Sequence, residues 1–76
     1  MKEKICQLAK QIDSRITIHD FRMVAVDGHT NLVFDAEVPF EVEKKPDAVK
    51  AEIEERVEVL EGNFKAVVHI DQSYIR

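Results

Sequence analysis

Cysteine is nearly absent from this chain: Cys6 stands alone, so no internal disulfide can form. That fits a reducing compartment. With no neighbouring His or Lys constellation, Cys6 also makes a poor nucleophile, and a small, partly buried hydrophobe is expected there. Only two glycines are present, and none forms a phosphate-cradling loop. Tryptophan is missing, and no apolar run approaches the length of a membrane-spanning helix. No signal-peptide pattern opens the chain, so a soluble piece is expected. Cys-x-x-Cys and His-Glu-x-x-His spacings are lacking too. No nucleophile, base and orienting group occur as a set, so an enzyme ranks last among the functions considered. Acidic residues outnumber basic ones, 15 to 11, for a net charge of −4. A basic stripe for nucleic acid is therefore not expected, whereas attraction of cations is compatible.

What is present is a pattern of two periods. Seventy-six residues make one small domain, residues 1–76, whose stability is marginal unless association, a metal or a larger neighbour adds to it. Residues 2–13 place Ile5, Leu8, Ala9 and Ile12 on one helical stripe. The stretch from Ile16 to Val26 and that from Asn31 to Pro39 read as two extended strands. The second alternates cleanly: Leu32, Phe34, Ala36 and Val38 fall on one side, Val33, Asp35 and Glu37 on the other. Asp27-Gly28 supplies turn chemistry between them, which makes an antiparallel hairpin expected at the centre of the sheet. Residues 39–46 form a polar, proline-bounded connection. Pro46 suits the first position of a second helix, and Asp47 its positive end. Val49, Ile53, Val57 and Leu60 give that helix its stripe, and Gly62 or Asn63 its left-handed stop. Residues 64–71 alternate again, with Phe64, Ala66, Val68 and Ile70 against Lys65, Val67, His69 and Asp71.

The predicted fold class is α+β, in the ferredoxin-like order α-β-β-α-β. A three-stranded mixed sheet carries both helices on one face, and the last strand runs parallel to the first or second. The other sheet face is left open, displaying Val33, Asp35, Glu37, Val67, His69 and Asp71.

His19, Asp20, Asp35, His69 and Asp71 are nitrogen and oxygen donors on neighbouring strands. Imidazole with carboxylate suits zinc, manganese, iron or cobalt. The same spacing also describes an ordinary solvated strand face. The first strand breaks alternation near His19. Either the strand begins at about Asp20, or a bulge re-aims one side chain. His29 reads as a turn residue, and Tyr74 and Ile75 as apolar tail residues that cap the sheet edge or meet a second subunit. The glutamates of the second helix read as its solvated face.

Taken together, the strings IHDFRM, LVFDAEVP and VVHID around a glutamate-rich helix resemble the cytoplasmic C-terminal domain of cation diffusion facilitator transporters. Each motif is short, but their order and spacing run from the first helix to Asp71. The resemblance implies a metallochaperone-like domain that forms a homodimer on the cytoplasmic side of the cell membrane, below a six-helix membrane domain of the same chain. Divalent cations, zinc foremost, would draw the two copies together and regulate transport. By position, His19, His69 and Asp71 match the family's ligands, and Asp35 falls where some members have a strand histidine. Val49 and Lys50 stand where some members have a further helix histidine. That departure favours one site per subunit, or a purely structural dimer, over a two-metal cluster. Phe21 replaces a common leucine. The competing expectation is a free-standing ferredoxin-like module that binds a small molecule or protein on its open face, without metal.

Overall fold

In the computed structural model, which describes residues 1–73, five elements follow in the order α1 (Lys2–Ile12), β1 (Thr17–Val26), β2 (His29–Pro39), α2 (Pro46–Glu58) and β3 (Phe64–Ser73). This is the expected α-β-β-α-β fold. The three strands form one mixed sheet in the order β1-β2-β3. β1 lies antiparallel to β2, and β3 lies parallel to β2. The central strand is thus β2, with β1 at one edge. Only the second half of the hairpin occupies the middle of the sheet.

Alternation in β2 does what its period implies. Leu32, Phe34, Ala36 and Val38 are all buried, while Val33, Asp35 and Glu37 between them are half-buried. The helices cover the first set. From α1 come Ile5, Leu8 and Ala9, and from α2 come Val49, Ile53 and Val57. Ile16, Ile18 and Val68 complete the same core, and Cys6, Ile12, Phe21, Leu60, Phe64, Ala66 and Ile70 pack around it. Cys6 is half-buried, the part foreseen for it.

Element ends have local causes. Asp13 leaves the helix of α1 with an extended backbone, and its carboxylate accepts hydrogen bonds from the Arg15 backbone N–H at 2.9 Å and from Arg15 Nε at 3.0 Å. Such a side-chain turn gives the chain its reversal into β1. Pro46 sits in the first turn of α2, where its missing N–H costs nothing, with Asp47 behind it. Past α2, Gly62 and Asn63 both take positive φ, 118° and 58°. Asn63 Nδ2 donates to the Gly28 carbonyl, and the Thr30 N–H donates to the Asn63 carbonyl at 3.2 Å. The turn entering β3 is thereby tied to the hairpin turn. The connection at 39–46 is less polar than its composition suggests. The Val42 N–H bonds the Pro39 carbonyl at 3.0 Å, and its side chain is buried in the core.

The domain measures 42 × 20 × 20 Å. Its length comes from the hairpin. A ten-residue strand spans roughly 33 Å, against roughly 17 Å for the eleven residues of α1. The distal hairpin therefore outruns its cover, and Met23, Val24 and Val26 are exposed. Among the described residues no helix is long and apolar enough to cross a membrane.

Candidate metal centre

The break in β1 is a bulge. His19 pairs with Asp35 and Arg22 with Val33, so Asp20 and Phe21 together oppose Phe34. Asp20 absorbs the extra residue at φ 55°, in the left-handed region that Asp tolerates better than most side chains. The insertion changes which residues face the helices. Before it, Ile16 and Ile18 are buried; after it, Phe21 turns in and stacks on Phe34, with ring centroids 6.0 Å apart and planes at 25°. Without the extra residue, one of these two apolar runs would face solvent. An open hollow of about 370 Å³ lies at the bulge, lined by Asp20, Phe21, Arg22, Val33, Phe34 and Asp35.

Because partners in register share a face, the bulge also settles where His19 stands. His19, Asp35 and His69 are direct partners across β1, β2 and β3, forming one row on the open face. The adjoining row is Thr17, Glu37 and Asp71. The four expected donors, His19, Asp35, His69 and Asp71, are thus gathered on one surface. Asp20 is not among them: it is held in the bulge, is exposed, and makes no ion pair among the described residues. The nearby Arg15 is engaged by Asp13. His29 opens β2, and is not part of the turn. It is half-buried, with Nε2 3.0 Å from Asn31 Oδ1, at the far end of the sheet from the donor rows. Tyr74 and Ile75 lie outside the described residues.

Glu37 was not counted among the donors, yet it meets one of them. Its Oε1 lies 3.1 Å from His19 Nε2, which also lies 3.1 Å from Thr17 Oγ1. Both side chains of the pair are open to solvent in part, 54% exposed for His19 and 41% for Glu37. Such a pair is worth little to stability, on the order of 0–1 kcal/mol. Alternation in the sequence puts Glu37 on the same face as Asp35; its place one row from His19 follows from the register between β1 and β2.

Among the described residues no three His, Cys, Asp or Glu side chains already converge closely enough to hold an ion. The donor types and the backbone placement nonetheless suit a divalent cation. Strands stand about 4.8 Å apart, so two imidazoles flank a carboxylate, one strand spacing to either side. His19 and His69 are both exposed. His19 Nε2 is engaged by Thr17 and Glu37, so assembling the site falls to His69, whose ring a change of rotamer would bring over Asp35 on the middle strand, with Asp71 one row away.

The two ends of the open face differ in character. Beyond the donor rows come Arg22-Val33-Val67 and then Val24-Asn31-Lys65. Val24, Val26 and Val67 are between 42% and 49% exposed. In comparisons with protein-family models, curated proteins and solved structures, nothing matches this chain.

Proposed function

We propose that this domain is the cytoplasmic, metal-responsive dimerisation domain of a divalent-cation efflux transporter of the cation diffusion facilitator type. The observation that carries the reading is the His19-Asp35-His69 row on the open sheet face, with Asp71 in the next row. The motifs that resemble the family are dispersed in sequence, and the fold brings their donors onto one surface. The ions best suited are Zn²⁺, then Mn²⁺, Fe²⁺ and Co²⁺, since two imidazoles and carboxylates match borderline metals. His19, Asp35, His69 and Asp71 would hold the ion. The ion would supply positive charge between carboxylates and fix two exposed histidines. The domain itself performs no catalysis in this account.

Dimerisation follows from the same face. A two-fold dimer is the commonest closed assembly. The exposed Val24, Val26 and Val67 offer apolar area beside the donors. Metal coupled to folding and assembly stabilises by mass action: at one hundred times Kd the gain is about 2.7 kcal/mol. For a domain of this size that raises Tm by roughly 11–22 °C. The test is thermal melting with and without Zn²⁺, joined to sedimentation of the same samples. A rise in Tm together with a dimer supports the reading. A zinc-insensitive monomer would favour the free-standing binding module, for which the exposed valines are the supporting feature.

A further inference from the structure

We propose that Glu37 is a positioning residue that holds the Nε2 side of His19, so that His19 offers Nδ1 to the cation. The inference rests on the metal reading above and extends it to a residue outside the four donors. Its starting point is that two side chains of one row, Thr17 and Glu37, converge on a single ring nitrogen. Nε2 of His19 is 3.1 Å from Thr17 Oγ1 and 3.1 Å from Glu37 Oε1. An ionised carboxylate only accepts hydrogen bonds, so the nitrogen facing it must carry the proton. The neutral ring then keeps its lone pair on Nδ1. Among the described residues Nδ1 has no hydrogen-bond partner.

This is the arrangement expected of a metal-binding histidine whose second nitrogen is held by a carboxylate. Such a partner fixes the tautomer, restrains the ring and raises the basicity of the ligating nitrogen. Glu37 is well placed for it. It belongs to the central strand, partners Thr17 on one side and Asp71 on the other, and reaches His19 diagonally. Were Glu37 instead a direct ligand, His19 Nε2 would have to be released from it first, and the metal would be found on that nitrogen.

The two arrangements differ in which nitrogen takes the metal, and nitrogen chemical shifts of isotopically labelled histidine in the 76-residue chain distinguish them. Zn²⁺ is the probe. The expected result has three parts. Zinc moves the His19 Nδ1 resonance, with Nε2 still protonated. Glu37→Ala weakens zinc binding 10–100-fold. Glu37→Gln, whose amide oxygen can still accept from Nε2, stays within severalfold of wild type. Since Glu37 is 41% exposed, circular dichroism of both variants is expected to match wild type. Zinc bound through Nε2 of His19, or an undiminished affinity in Glu37→Ala, overturns the positioning role while leaving the metal reading intact. No zinc uptake by the wild-type chain overturns both.

Discussion

Replacing Phe34 by alanine tests how the bulge and the core depend on each other. Phe34 is 2% exposed on the central strand, and its ring meets Phe21 across the bulge at 6.0 Å. Removing a buried phenylalanine costs about 3–5 kcal/mol through lost transfer energy and the cavity left behind. About 0.5–1.5 kcal/mol of that belongs to the aromatic pair. Domains hold roughly 0.05–0.15 kcal/mol per residue, which is roughly 4–11 kcal/mol for this chain. The substitution therefore removes about a quarter of the stability at least, and up to all of it at the low end. Urea titration followed by circular dichroism should show a much lower midpoint with a similar slope. Tm should fall by more than about 12 °C. Phe21→Ala and the double variant complete a cycle, with an expected coupling of about 0.5–1.5 kcal/mol. A loss below about 1 kcal/mol for Phe34→Ala, or zero coupling with Phe21, would refute the claim that the bulge turns Phe21 onto the core.

Two further substitutions probe the backbone and the acid response. Asp20→Val should destabilise by about 1–2 kcal/mol, because a β-branched residue resists positive φ, whereas Asp20→Gly should be neutral or mildly stabilising; equal effects in chemical denaturation would mean that Asp20 does not carry the bulge. The Asp13 carboxyl is held below the usual carboxylate range, first by the Arg15 side-chain hydrogen bonds and then by the Arg15 backbone N–H. A depressed folded pKa means the associated stability is complete above the unfolded value, about 3.9, and is lost as pH falls through the folded value. Asp13→Asn should therefore lower Tm at neutral pH, and the gap to wild type should close in acid; a gap that widens on acidification would contradict the assignment.

Much of this architecture is legible in the sequence because each buried element has two chemically distinct faces. β2 is the clearest case: its inner residues are apolar without exception from Leu32 to Val38. β1 was harder for a physical reason. Parity shows that a residue is extra near His19, but parity does not say which one. The choice of Asp20 depends on backbone conformation, where a short polar side chain tolerates φ 55°. Val42 was missed because a single apolar residue among charges has no period to reveal it. Its burial depends on the chain folding back at Pro39. His29 reads as a turn residue from its polar surroundings, but the turn is only two residues long, so His29 already pairs with Val26 in the hairpin. For the candidate site, alternation alone put Asp35, His69 and Asp71 on one face. Bringing His19 to the same row needed the bulge, and the contact between His19 and Glu37 needed the cross-strand register.

The central claim is that the open-face row binds a divalent cation, and calorimetric titration of the chain with Zn²⁺ and Mn²⁺ tests it most directly. The account expects saturable heat with zinc for wild type. That heat should be lost in His69→Ala and strongly reduced in Asp35→Ala, while both variants remain folded, since the two side chains face away from the core. Absence of heat with any divalent ion, or equal heat for wild type and His69→Ala, would contradict it.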